Sequence, residues 1–320
     1  MDIIFLGTSS GTPTKTRNLS GVALRKAGSK PWFLIDCGEG TQHRLLHTNL
    51  SLNSLQAVCI THVHGDHCYG LPGLLASATM SGRSAALTII GPAAIREFIE
   101  ATQKATQLRL SYPVNFVDVA GMSGVFDGDG FDIDAVALSH RVPSFAYVFV
   151  ETGLSRKLDV TRLKADAIES GPVWGQLQRG EDVILPDGRV ICSRDYLLEV
   201  RKPRKVIISG DNDTPALLAE SAKSAHVLVH EATYTEAVAE KVGAGPRHSS
   251  AKAVAQFAAE AAIANLILTH FSPRYKDSGG SGLTIGDIEL EARTCYAGNL
   301  LLANDLDMFH LDRAGTLIRR

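Results

Sequence analysis

Short apolar runs, rich in β-branched residues, alternate with helical patterns along the whole chain. Strands punctuated by helices indicate central sheets whose faces are covered by helices, as in a layered α/β protein. The predicted strands are Ile3–Leu6, Trp32–Ile35, Ala57–Ile60, Leu87–Ile90, Val114–Val117, Phe131–Leu138, Phe145–Val150, Lys205–Ile208, His226–Val229, Leu266–Leu268 and Leu300–Leu302. The predicted helices are Ala93–Lys104, Thr214–Ala222, Ser249–Ala262 and Thr284–Tyr296. Because no Pro-, Gly- or Ser-rich linker divides the chain, we expect a single domain over residues 1–320.

The segment Glu151–Arg189 departs from this pattern. Its apolar spacing is weak, and turn residues accumulate at Gly171-Pro172 and at Pro186-Asp187-Gly188. We therefore expect an inserted arm over about residues 153–189 rather than a part of the core.

Composition excludes several classes of protein. No apolar run approaches the roughly 18 to 20 residues that span a bilayer, and Met1–Leu6 lacks the features of an export signal. The formal charge is −2, so a nucleic-acid partner would need a local basic patch. The five cysteines are scattered without a CxxC pair, which favours reduced thiols. We expect a soluble cytoplasmic protein with no membrane contact.

The most informative residues are the cluster His62-Val63-His64-Gly65-Asp66-His67, directly after a predicted buried strand. Imidazole nitrogens and carboxylate oxygens are ligands that Zn²⁺ prefers. Alternate residues of an extended loop can converge on one point while the next pair faces a second. The cluster therefore predicts a metal centre at this strand end.

Three further candidate ligands also follow apolar runs. His140 comes after Ile133–Leu138, Asp211 after Val206–Ser209, and His270 after Leu266–Leu268. A carboxylate has two oxygens and can bridge two cations, which a histidine cannot do at ordinary ligand distances. Asp211 is thus the natural bridge between two metal sites.

The cluster, with the downstream His, Asp and His, resembles the metallo-β-lactamase fold hydrolases. The other motifs resemble ribonuclease Z, the endonuclease family that matures the 3′ ends of tRNA, and the likeness runs from residue 2 to about 310. These motifs are Gly7-Thr8-Ser9-Ser10-Gly11-Thr12-Pro13, Pro13-Thr14-Lys15-Thr16-Arg17-Asn18, Asp36-Cys37-Gly38-Glu39-Gly40-Thr41, His230-Glu231-Ala232-Thr233, Arg247-His248-Ser249-Ser250 and Thr269-His270-Phe271-Ser272-Pro273-Arg274-Tyr275. The resemblance implies a four-layer αβ/βα sandwich with an inserted arm.

The resemblance also implies two Zn²⁺ ions per chain with a bridging hydroxide as the nucleophile. The implied ligands of the first are His62, His64, His140 and Asp211, and those of the second are Asp66, His67, Asp211 and His270. Asp66 would orient the water and accept its proton. His248, oriented by Glu231, would stabilise the scissile phosphate and protonate the departing oxygen. The alternative readings are a helix-start residue for His248 and a surface or capping carboxylate for Glu231.

The candidate substrate contacts come from the resemblance and not from a ligand pattern. By resemblance, the loop with Pro13, Lys15 and Arg17 contacts the RNA, and the arm grips the tRNA elbow. The candidate arm contacts are Arg156, Lys164, Gly171 and Pro172. A solvated loop of mixed charge is the alternative for the arm. The resemblance further implies a homodimer whose arm serves the partner's active site.

The leading hypothesis is a zinc-dependent endoribonuclease that cuts precursor tRNA 3′ of the discriminator nucleotide and leaves a 3′-hydroxyl on the tRNA. The alternatives are a hydrolase of small phosphodiesters or esters on the same fold, and a non-catalytic RNA-binding relative. Two positions depart from the family pattern, because Asn212 and Ser250 stand where Thr is common. Neither departure removes a candidate ligand.

Overall fold

The computed structural model describes residues 1–122, 124–154, 156–198, 201–277 and 282–320. The strands are β1 Asp2–Gly7, β2 Gly21–Arg25, β3 Trp32–Ile35, β4 Leu55–Cys59, β5 Leu87–Gly91, β6 Val114–Asp118, β7 Phe126–Gly128, β8 Phe131–Leu138, β9 Ser144–Glu151, β10 Val183–Ile184, β11 Val190–Ile191, β12 Lys205–Ile208, β13 Val227–Glu231, β14 Asn265–Thr269, β15 Asn299–Leu302, β16 Met308–Leu311 and β17 Leu317–Arg319. The α-helices are α1 Thr41–Leu45, α2 Gly65–Cys68, α3 Leu71–Met80, α4 Ala93–Thr106, α5 Val160–Ala165, α6 Pro172–Arg179, α7 Ala219–Ala222, α8 Glu236–Val242, α9 Ala251–Glu260 and α10 Ile285–Arg293. Within the described ranges, none of these helices is long and apolar enough to cross a bilayer.

The strands form two mixed sheets and one isolated hairpin. The first sheet has the order β17-β16-β1-β2-β3-β4-β5-β6, and the second has the order β15-β14-β13-β12-β9-β8-β7. Strands β3 to β6 are mutually parallel in the first sheet, as are β12 to β15 in the second. The hairpin pairs β10 with β11.

The two sheets pack face to face over an apolar layer. Phe5 and Phe33 of the first sheet belong to the same buried cluster as Phe149, Ile208 and Val229 of the second. A second cluster joins the outer face of the second sheet to α9 and α10, and a third joins the outer face of the first sheet to α3 and α4. Each sheet thus buries both faces, which confirms the predicted four-layer sandwich.

Several elements differ from those that the sequence predicts. The pattern over Thr214–Ala222 folds as a 3₁₀ turn, Pro215–Leu218, followed by the short helix α7. Helix α3 is an additional helix, and it buries Leu71, Leu74, Leu75 and Ala78. This spacing is helical, but Pro72 and Gly73 lower the helix propensity of its first turn. Proline is nevertheless tolerated in a first turn because its missing N–H would have no partner there.

Residues Glu151–Pro203 form a second compact unit, inserted into the unit built by Met1–Val150 and Arg204–Arg320. The inserted unit contains α5, α6 and the β10–β11 hairpin. It has a small core of its own, made by Leu163, Ile168, Leu177, Ile191 and Tyr196. The predicted arm over residues 153–189 lies within it, and the last two core residues extend the unit beyond that range.

Candidate metal centre and active site

The ends of β4, β8, β12 and β14 carry the side chains of the candidate centre. His62 follows β4, and His64 directly precedes α2, whose turn carries Asp66 and His67. His140, Asp211 and His270 follow β8, β12 and β14 respectively. Strands β12 and β14 lie parallel on either side of β13, so their carboxyl ends share one edge of the sheet.

A first donor set consists of His62, His64, His140 and Asp211, whose ligand atoms lie within 4.8 Å of one another. His64 Nδ1 is 3.1 Å from His62 Nε2 and 3.2 Å from His140 Nε2. Asp211 Oδ2 is 3.6 Å from His62 Nε2 and 3.7 Å from His140 Nε2. Three ring nitrogens and one carboxylate oxygen thus converge on one point.

A second donor set consists of Asp66, His67, His270 and the other oxygen of Asp211. His67 Nε2 and His270 Nε2 are 3.2 Å apart, and Asp66 Oδ2 lies 3.6 Å from the first and 3.4 Å from the second. Asp211 Oδ1 is 3.4 Å from both nitrogens. The two oxygens of Asp211 therefore face two different donor sets.

The separations between each histidine nitrogen and the neighbouring donor atoms suit the ligands of a small cation such as zinc. Ligand bonds of about 2.0–2.1 Å place neighbouring tetrahedral ligands about 3.3–3.4 Å apart, close to the separations in both donor sets. Burial lowers the pKa of His62 well below its usual value, and the pKa values of His64 and His140 are also lowered, first by burial. These imidazoles are neutral near pH 7 and can offer a lone pair.

Hydrogen bonds to the outer ring nitrogens orient the ligands. His62 Nδ1 lies 3.0 Å from Thr61 Oγ1, and His140 Nδ1 lies 2.9 Å from the carbonyl oxygen of Arg247. His270 Nδ1 lies 3.0 Å from Thr233 Oγ1. When these nitrogens carry the proton and donate it outward, each Nε2 keeps its lone pair for a cation.

Asp36 contacts a candidate ligand, a position in the site that the sequence did not predict. Its Oδ2 accepts a hydrogen bond from His67 Nδ1 at 2.7 Å and one from Thr61 Oγ1 at 2.9 Å. Burial lowers the pKa of His67, but Asp211, Asp36 and Asp66 outweigh it and raise that pKa to about 10. Three carboxylates around one buried imidazole favour a cation at this position. The available signal was an Asp directly after the apolar strand β3, the same context as Asp211 after β12.

The buried Glu231 and the half-buried His248 form a pair beside the donor sets. Both carboxylate oxygens of Glu231 lie 3.0 Å from His248 Nδ1. Burial raises the pKa of Glu231, but the charge and hydrogen bond of His248 outweigh it and lower that pKa to about 2. Burial lowers the pKa of His248, and Glu231 outweighs it and raises that pKa to about 9. The pair therefore consists of a carboxylate and an imidazolium near pH 7.

His248 also lies close to Asp211 and His270, within the 4.8 Å that a shared cation would require. Its Nδ1, which is 3.7 Å from Asp211 Oδ2, already faces the Glu231 carboxylate. A nitrogen that donates to Glu231 has no lone pair for a metal, so we leave His248 outside both donor sets.

The two departures from the family pattern occupy structural positions. Asn212 is fully buried, and its Oδ1 accepts hydrogen bonds from the backbone N–H groups of Ser139 and Thr214. Its own backbone N–H donates to Glu231 Oε1 at 2.8 Å. Ser250 caps helix α9, where its hydroxyl accepts from the N–H of Ala253. Both residues hold neighbours of the site and do not alter the donor sets.

The loop that carries Pro13, Lys15 and Arg17 reaches the centre through Gly11, whose N–H donates to Asp66 Oδ2 at 2.7 Å. Pro13 and Lys15 are exposed. Arg17 does not match the prediction of an RNA contact. Its side chain is 5% exposed, and its guanidinium forms hydrogen bonds to other residues of the protein. Its partners are Asp277, Thr8, Asn304 and the carbonyl oxygen of Ala303. Arg17 anchors the loop and presents no free charge to a substrate.

The candidate arm contacts lie in the inserted unit, and all four are exposed. Arg156 donates to the carbonyl oxygen of Arg179 at 3.2 Å. Gly171 precedes α6, and Pro172 is the first residue of that helix. Lys164 lies in the last turn of α5. These residues are available for contact with a partner.

Comparison with known proteins decides the family. A family model described as "Anti-Pycsar protein Apyc1" matches residues 1–109. The ribonuclease Z of Marinobacter nauticus is 50% identical over 313 residues, which cover 98% of this chain and 97% of that protein. This chain belongs to the ribonuclease Z family.

Solved structures agree with membership of the ribonuclease Z family. Human tRNase Z, short form, superposes with a TM-score of 0.65 at 26% identity, over 98% of this chain and 100% of that chain. The metallo-β-lactamase fold protein YhfI of Bacillus subtilis has the same TM-score at 18% identity, over 96% and 98% of the two chains, which shows the shared fold. The predicted fold, family and activity are confirmed: the chain is a metal-dependent endoribonuclease of tRNA 3′ processing.

Proposed function

We propose that this ribonuclease Z uses two Zn²⁺ ions to cut precursor tRNA 3′ of the discriminator nucleotide, and that it leaves a 3′-hydroxyl on the tRNA. The observation that carries the proposal is the placement of Asp211, whose Oδ2 faces His62 and His140 while Oδ1 faces His67 and His270. One carboxylate shared by two complete donor sets is an arrangement for two neighbouring cations. When bound, such a pair lowers the pKa of a shared water and neutralises the charge that develops on a phosphodiester.

Asp66 is suited to accept the proton of the attacking water. Its Oδ2 belongs to the second donor set and accepts the N–H of Gly11, so the carboxylate is held in one orientation. While Oδ2 remains in the donor set, the other oxygen, Oδ1, can accept the proton.

His248 is suited to protonate the leaving oxygen. Its Nδ1 is held by Glu231, and the rest of the ring lines an open cavity. The leaving group is the 3′-oxygen of the discriminator ribose, which is strongly basic without a proton. An imidazolium held in place by Glu231 supplies that proton as the bond from phosphorus to the 3′-oxygen breaks.

Substrate contacts and assembly follow the family pattern in our proposal. Lys15 and Pro13 of the exposed loop contact the 3′ end of the RNA, and Arg156, Lys164, Gly171 and Pro172 contact a distant part of the tRNA. We also propose a homodimer in which each arm serves the partner's active site. The resemblance to the family is the support for this assembly. The cytoplasmic location stays a prediction.

A tRNA transcript with a 3′ extension tests the function. The purified protein should release one trailer, and the cut should map to the 3′ side of the discriminator nucleotide with a 3′-hydroxyl on the tRNA. A chelator should abolish the reaction, and added Zn²⁺ should restore it. Cleavage at other positions, or activity that survives metal removal, would contradict the proposal. A small cyclic or linear phosphodiester serves as the comparison substrate for a hydrolase of small molecules.

A further inference from the structure

An open cavity of about 500 Å³ lies beside His248, and the mechanism above gives it no task. Its lining includes Asp213, Tyr234, Glu240, Ala244 and Pro246. Pockets for small organic ligands commonly measure about 300–1,000 Å³, so the cavity can hold a nucleoside.

The lining of the cavity is mixed in charge and can exchange several hydrogen bonds with a ligand. The carboxylates of Asp213 and Glu240 can accept from hydroxyl or amino groups, and Arg247 and His248 on the same lining can donate. The Tyr234 ring and Pro246 supply apolar surface, and aromatic rings are common platforms for bases. A nucleoside has this combination of properties, since it presents a flat base, amino groups and the ribose 2′-hydroxyl.

The position of His248 decides which nucleoside can enter. In the proposed function, on which this inference rests, His248 gives its proton to the 3′-oxygen of the discriminator ribose. That ribose must therefore lie next to His248, and its own base can reach the adjoining cavity. We propose that the cavity binds the discriminator nucleoside and contributes to the placement of the scissile bond.

A comparison of two substrates with two variants tests this proposal. The substrates are a 3′-extended tRNA with an intact discriminator and the same RNA lacking only the discriminator base. Ala244→Trp fills the cavity, while Ala105→Trp makes the same change at an exposed position on α4, outside the cavity. The value of kcat/KM is measured for each combination of protein and RNA. Metal content and unfolding temperature are checked for each variant.

We expect loss of the base to slow the wild-type protein about 10-fold or more, the scale of one base–aromatic stack. Ala105→Trp should keep this ratio. Ala244→Trp should bring the ratio near one, because the base then has no cavity to enter. The ratio is kcat/KM for the intact RNA divided by kcat/KM for the RNA without the discriminator base. A ratio below about twofold in the wild-type protein, or a ratio in Ala244→Trp equal to that of the wild type, would overturn the proposal. A third RNA, which lacks the base of the first trailer nucleotide instead, is the control, and an effect of Ala244→Trp on the ratio for this RNA alone would also overturn the proposal. Failure of the wild-type protein to cut the intact RNA would instead reject the proposed function itself.

Discussion

His248 Nδ1 lies 3.0 Å from both carboxylate oxygens of Glu231. The carboxylate is held in turn by the N–H of Asn212 and by the hydroxyl of Thr233, so its orientation does not depend on His248. The pair thus places a charged imidazole beside the metal donor sets without making it a ligand. In the proposed mechanism, this arrangement separates the formation of the nucleophile from the protonation of the leaving group.

We expect His248→Ala to slow cleavage of precursor tRNA by about 10²- to 10⁴-fold, the usual contribution of a general acid. Hydrolysis of bis(p-nitrophenyl) phosphate should fall only a few-fold, since p-nitrophenolate is a good leaving group. Glu231→Gln should show the same pattern with a smaller amplitude. Parallel rates on the two substrates check this, with metal content measured for each variant. Equal slowing of both reactions in a variant that keeps its metals would favour phosphate binding by His248.

Asp36→Asn should weaken metal binding by about 10- to 100-fold, the usual effect of losing a partner of a metal ligand. Oδ1 accepts the N–H of Thr61, and Oδ2 accepts from Thr61 Oγ1 and His67 Nδ1, so an amide NH₂ would face a donor at either position. Asparagine tolerates the positive φ of 58° at this residue, which keeps backbone strain out of the comparison. Competition with a chelator measures the affinity, and the exposed Asp127→Asn is the control. Unchanged affinity in Asp36→Asn would remove this role.

Deletion of residues 152–203 should abolish cleavage of precursor tRNA while sparing bis(p-nitrophenyl) phosphate hydrolysis. Val150 of β9 pairs with Lys205 of β12 in antiparallel register, so a short Gly-rich turn can rejoin the ends. The deletion removes the inserted unit except Glu151, and so includes Ile191 and Tyr196 of its core. We expect a loss of at least about 100-fold on the large substrate, because remote contacts position it. Equal loss on both substrates by a folded variant would assign the unit a structural role.

We expect Arg17→Ala to lower the stability of the protein and Lys15→Ala to weaken RNA binding. Removal of the buried Arg17 guanidinium leaves Asp277 and several acceptors without their partner, and should cost about 2 kcal/mol or more of unfolding free energy. Lys15→Ala should leave stability unchanged and raise KM for precursor tRNA. It should also reduce the slope of log affinity against log salt concentration by about one, as expected for the loss of one phosphate contact. Thermal unfolding and KM at two salt concentrations separate the two. Unchanged stability of Arg17→Ala would return Arg17 to the set of RNA contacts.

The sequence predicts the positions of the candidate ligands because strand ends impose them. Asp211 and His270 each follow a buried run of a parallel strand, and the carboxyl ends of such strands meet at one edge. Asp36 also follows a strand, β3, but it hydrogen-bonds to the ligand His67 and is not itself in a donor set. A single carboxylate far from the His62–His67 cluster shows no motif spacing in the sequence, so its position in the site could not be predicted.

The inserted unit was harder to predict for a different reason. Its helices α5 and α6 have only 6 and 8 residues, so each is too short to show a repeating apolar face in the sequence, although Val173 and Trp174 of α6 pack with Leu177. The role of Arg17 could not be predicted for a similar reason. The sequence shows an arginine in a loop, but it does not show the acceptors inside the protein that bind its guanidinium.

The metal content of three proteins tests the central claim, that Asp211 serves two cations at once. Elemental analysis after dialysis against metal-free buffer should give about two zinc ions per chain for the wild type, because Asp211 faces two groups of donor residues. His64→Ala, which removes one ligand of the first set, should retain about one. Asp211→Ala should retain less than one, because both sets lose an oxygen. One ion or fewer in active wild-type protein, or two ions in Asp211→Ala, would contradict the account.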